Sequence, residues 1–129
     1  MKKIRLLIIS ALFSFSVTSQ AAVLASASVY GGTTQNHVVC YLFNAGNASI
    51  GISAVQVFAF GNSFPLPLTG GNGCGLTLAP GATCAWAVNP ISNGLTYSCR
   101  AVTSTTSGLR GTLDIRSTGE IKLERADMR

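Results

Sequence analysis

The chain has 129 residues, 47% of them hydrophobic and only 10% charged, with a formal net charge of +5. Lys2, Lys3 and Arg5 stand ahead of an apolar run, and every other charged residue lies between Arg100 and Arg129. A stretch with no Asp, Glu, Lys or Arg from residue 22 to residue 99, rich in Val, Ile, Leu, Phe and Ala, excludes a disordered tail and reads as strands coated with Ser, Thr, Asn and Gly.

MKKIR followed by LLIISALFSFSV and then TSQA has the form of a secretory signal peptide: a basic start, a short apolar run, and small residues before the cut. The run is too short to span a bilayer as a helix. Ser19 and Ala21 fit the small-x-small rule, so residues 1–21 are expected to be removed, with cleavage after Ala22 or Ala27 as the fallback. The first cysteine, Cys40, lies far past the run, which argues against a lipid anchor. A mature chain from residue 22 has 108 residues with six basic and four acidic side chains, a net charge of +2. Nucleic acid or an anionic membrane as partner thereby loses most of its support, and no membrane insertion is expected after cleavage.

The mature chain shows no sustained helical period. Short runs of Val, Ile, Thr, Phe and Tyr alternate with Gly, Asn, Pro and Ser every eight to twelve residues, which predicts an all-β fold. Residues 23–30 alternate as a half-buried strand that stops at Gly31-Gly32. Residues 37–43, apolar on both faces with Val38, Cys40 and Leu42 on one side, predict a central strand, and Asn44-Ala45-Gly46-Asn47 a turn. Residues 49–60 predict one bent strand or two short ones. Pro65 and Pro67 confine residues 64–68 to an edge or an extended loop, and residues 69–73 read as a flexible loop.

Residues 75–78 and 83–88 are expected to form a hairpin about Ala79-Pro80-Gly81-Ala82. Asn89-Pro90 and Asn93-Gly94 bracket the next loop, and residues 95–103 form the strand carrying Cys99. Leu109, Gly111, Leu113 and Ile115 then face one way, with Arg110, Thr112, Asp114 and Arg116 facing the other. Ile121 and Leu123 repeat the pattern, with Glu120, Lys122 and Glu124 outside, and residues 126–129 are expected to fray as a short tail. The domain thus spans residues 22–125. Its fold class is an all-β, disulfide-stapled, immunoglobulin-like two-sheet sandwich of about 7–9 antiparallel strands.

Four cysteines in an exported domain should be oxidised, and four allow three pairings. Cys74–Cys84 and Cys40–Cys99 are the favoured pairs. The first closes a short loop across the Pro-Gly turn and the second joins two apolar strands. On chain entropy they contribute about 3 and about 4 kcal/mol. Cys84 and Trp86, two apart on one strand, point to the same face, so the tryptophan is expected beside a buried disulfide.

The segments CYLFNAGNASIGISAVQV, CGLTLAPGATCAW and YSCRA together resemble the secreted bacterial immunoglobulin-like domains of the ASPM–SPD-2–Hydin type. Asn44-Ala45-Gly46 occupies the place of the N-x-G turn of that type, and Cys74 through Cys84 that of its C-x-x-L-x-P-G-x-x-C segment. The likeness covers residues 36–115. It implies a scaffold or interaction module. The pair Cys40 and Cys99 and the charged C-terminal hairpin are departures from the pattern.

Catalysis needs convergent polar groups. The mature chain holds one histidine, His37, and four carboxylates, Asp114, Glu120, Glu124 and Asp127, with no G-x-S-x-G context for a triad. The cysteine spacings contain no C-x-x-C, and no glycine motif precedes a helix. No catalytic, metal-binding or cofactor-binding residue is therefore expected, and no cofactor. Asn47-Ala48-Ser49 matches a glycosylation acceptor but is a short, common pattern.

The expected function is a non-catalytic secreted or periplasmic interaction or structural module with an unidentified protein or glycan partner. One alternative is a carbohydrate- or surface-binding adhesin, built on Tyr30, Tyr41 and Tyr97. Another is a pilus-type subunit that donates residues 23–30. A third is an inhibitor presenting residues 89–94.

Overall fold

A computed structural model describes residues 20–117 and 124–129. The predicted leader falls almost wholly on residues outside this range, as do Glu120, Ile121, Lys122 and Leu123. Nine strands follow in chain order: β1 (Ala22–Ala25), β2 (Val29–Tyr30), β3 (His37–Asn44), β4 (Ile50–Ala59), β5 (Thr77–Leu78), β6 (Thr83–Val88), β7 (Thr96–Thr103), β8 (Leu109–Arg116) and β9 (Glu124–Met128). No helix occurs among the described residues.

All pairings are antiparallel and form two sheets. One runs β1-β7-β4-β5, with β2 also on β7; the other runs β6-β3-β8-β9. The fold is a two-sheet, disulfide-stapled β-sandwich. Along β7 buried and half-buried residues alternate without a break, so Tyr97, Cys99, Ala101 and Thr103 face the core. From the other sheet Val38, Cys40, Leu42, Trp86, Leu113 and Ile115 meet them, each with 1% exposure or less.

Both expected disulfides form. Cys40–Cys99 bridges the central strands of the two sheets with Cα atoms 6.0 Å apart. Trp86 lies directly across from Cys40 in the β3–β6 register, and its indole N–H donates to the Gln56 carbonyl of the other sheet at 3.1 Å. Along one side the sandwich is laced shut, because the Ala25 and Arg129 backbones exchange two hydrogen bonds and Ser26 bridges Met128.

Four local expectations need correction. Residues 23–30 are not one strand. At Ser26 the side-chain hydroxyl accepts the Cys99 N–H at 2.9 Å, supplanting a ladder partner and separating β1 from β2. Residues 75–78 and 83–88 do not form a hairpin either: β5 pairs with β4 and β6 with β3, so the connection crosses between the sheets. Gly81 at φ +72°, with the Ala82 N–H on the Ala79 carbonyl, is type II turn geometry, whose twist splays the flanking strands instead of pairing them.

Residues 70–73 are a hydrogen-bonded cover and not a loose loop. Gly70, Gly71 and Gly73 bond the Ala85 and Ala87 backbones along the edge of β6. A side chain on Gly70 would come within 2.8 Å of the Ala87 Cβ, so the approach requires glycine. Cys74–Cys84 pins this cover to β6. Finally, residues 126–128 belong to β9, not to a frayed tail. Met128 is buried, and it pairs with Gly111 on β8.

Candidate interaction surface

His37 opens β3, half-buried, with its Nδ1 hydrogen-bonded to the Asn36 side-chain oxygen. Asp114 lies on the neighbouring strand β8, where the Arg116 guanidinium holds its carboxylate at 2.9 Å. Asp127 sits on β9 opposite Thr112, and Glu120 lies outside the described residues. All four cysteines are in disulfides. Among the described residues no three His, Cys, Asp or Glu side chains converge as metal ligands, and no helix is long and apolar enough to cross a membrane.

The three tyrosines have separate fates. Tyr97 is buried, its hydroxyl donates to the Ser92 carbonyl at 2.7 Å, and burial raises its pKa. Tyr41 is half-buried on the outer face of the β6-β3-β8-β9 sheet. The Arg116 guanidinium stands 5.6 Å from its ring centroid and also donates to its hydroxyl at 2.8 Å. That cluster pushes the Arg116 pKa up, chiefly through the Asp114 hydrogen bond. Tyr30 alone is open to solvent, at 53% exposure.

The two outer faces differ in chemistry. On the four-stranded sheet, the outward positions of β8 are Arg110, Thr112, Asp114 and Arg116, beside Phe43, Tyr41 and Val39 of β3. This face carries the charged residues of β8. Next to it a depression of about 510 Å³ lies between His37, Val39, Ala87, Asn89 and residues 70–73; its walls are mainly glycine, alanine and backbone.

The outer face of the other sheet is nearly uncharged. Its outward rows run Tyr30–Thr96–Phe60, then Ser98–Phe58, then Ala25–Arg100–Gln56, then Val23–Val102–Ala54. Arg100 is the single charged residue among these positions. Phe60 follows β4 directly, its N–H donating to the Thr96 carbonyl at 2.8 Å, and it is 78% exposed. Phe64, beyond the turn at Gly61, is 81% exposed. A water-facing sheet ordinarily turns polar residues outward. Two open aromatic side chains at one end of this face, Tyr30 and Phe60, break that rule.

Sequence reasoning singled out Tyr30 and passed over Phe60 and Phe64. The available signal was a pair of phenylalanines flanking Gly61-Asn62-Ser63, where a turn holds them near the surface. The loop 89–94, which the inhibitor alternative would present, is held in place by hydrogen bonds. Ile91 and Gly94 donate backbone hydrogen bonds to Asn36 and Gly32, and Ser92 accepts from Tyr97. Comparison with models of known protein families, with curated proteins and with solved structures found no match for this chain.

Proposed function

We propose that the protein is an exported, non-catalytic interaction module of immunoglobulin-like architecture that engages its partner through the outer face of the β1-β7-β4-β5 sheet. The observation carrying this reading is the row Tyr30–Thr96–Phe60, with both aromatic ends exposed, on a sheet face with one charge. Leaving such apolar area in water is unfavourable by about 25 cal/mol per Å², and a partner that covers it recovers that energy.

Further support comes from the leader-like residues 1–21 and from two closed disulfides, which accord with an oxidising secreted or periplasmic compartment. The resemblance of these segments to ASPM–SPD-2–Hydin-type domains supports an interaction role as well. A strand-donating pilus subunit has less support, because β1 and β2 already pair with β7 of their own chain.

Hydroxyl-radical footprinting tests the reading. Envelope and culture fractions of the producing cell are added to the purified protein, and modification of aromatic residues is compared with and without them. Protection is expected at Tyr30 and Phe60 and not at Tyr41 or Phe43. Protection confined to the Tyr41 side, or a substrate turnover that His37→Ala abolishes, would refute it.

A further inference from the structure

Resting on that reading of the outer face, we infer that the ligand is an uncharged polysaccharide chain lying across β2, β7 and β4, with Tyr30 and Phe60 as its stacking platforms. Tyr30 and Phe60 flank Thr96 from opposite sides: Tyr30 is its register partner on β2, and Phe60 bonds its carbonyl from the β4 side. Two strand spacings set the aromatic positions roughly 10 Å apart, about the span of two linked sugar rings. Both rings are carried on or directly beside hydrogen-bonded sheet, so little ordering entropy is lost on binding.

The chemistry of the face selects among ligand classes. A sugar ring presents an apolar C–H face and a rim of hydroxyls. It needs a flat apolar surface with neutral hydrogen-bonding groups alongside, which the aromatic pair and the half-buried Thr96 and Ser98 supply. Cationic ligands meet no carboxylate here. An anionic lipid surface needs a basic cluster, and the face has Arg100 alone. A second copy docked face to face brings arginine toward arginine with no acidic residue on the face to offset it. Tyr97 and Tyr41 offer no rival platform, since one is buried and the other is covered by Arg116.

Affinity electrophoresis of the purified protein through gels containing hydroxyethylcellulose, galactomannan, amylose or dextran provides the test. At least one of these neutral polysaccharides should retard the protein. Tyr30→Ala and Phe60→Ala should each weaken retardation by about tenfold, the scale of one lost aromatic contact. Tyr41→Ala, on the opposite face, should leave it unchanged. Both exposed substitutions are expected to keep the thermal midpoint, which verifies folding. No retardation by any of the four, or retardation indifferent to both substitutions, overturns the inference. A protein photo-crosslinked from position 60, or a dimer in sedimentation that Phe60→Ala dissolves, also overturns it while sparing the interaction-module reading. New reducing ends released from the polysaccharide would instead refute the non-catalytic reading.

Discussion

Asn44 has a fully buried side chain in a core built mainly of apolar groups. Its amide donates to the Ala48 and Leu78 carbonyls at 2.8 and 3.0 Å, and its side-chain oxygen accepts the Gly46 N–H at 2.9 Å. One residue therefore ties the β3–β4 turn to β5, and its bond to the Leu78 carbonyl is buried. Asn44→Ala is expected to cost about 2–3 kcal/mol in urea unfolding, because it strands those backbone partners. A loss below half a kcal/mol would mean the knot is dispensable. From the sequence Asn44 was legible as a turn residue, and its burial was not, since burial depends on β5 arriving from 34 positions away. The same holds for the tyrosines: only packing separates buried Tyr97, covered Tyr41 and open Tyr30.

Strands were the most legible elements. Alternation with period two marks β7 and β8, and an apolar run on both faces marks β3 as central, paired on either side by β6 and β8. Connections were less legible. A Pro-Gly turn between two apolar runs reads as a hairpin, yet its handed twist sends β5 and β6 to different sheets. The glycines around that turn offer a direct check. Gly81 has φ +72° with open space around its Cα, so Gly81→Ala should destabilise by about 1 kcal/mol through backbone strain alone. Gly75 also has open space but no such backbone, so Gly75→Ala should be neutral or stabilising by up to about 1 kcal/mol. Equal effects in matched urea titrations would contradict the turn geometry.

The sandwich is held by a modest core and two covalent bridges of unequal reach. Cys40–Cys99 closes 59 residues and lies in the core, whereas Cys74–Cys84 closes 10 and pins an edge cover. Replacing the first pair by alanines is expected to cost about 4 kcal/mol or more, and the second about 3 kcal/mol. Calorimetry showing the reverse order would indicate that the edge cover, not the inter-sheet bridge, limits unfolding. Composition, alternation and cysteine placement were enough to specify an all-β, oxidised, two-layer domain, because periodicity and loop closure act along the chain. Which sheet each strand joins, which tyrosine stays open, and that Tyr30 and Phe60 flank Thr96 on a nearly uncharged face were decided only in three dimensions. Those relations depend on strand register between segments far apart in the chain, and a one-residue slip would turn either aromatic side chain into the core.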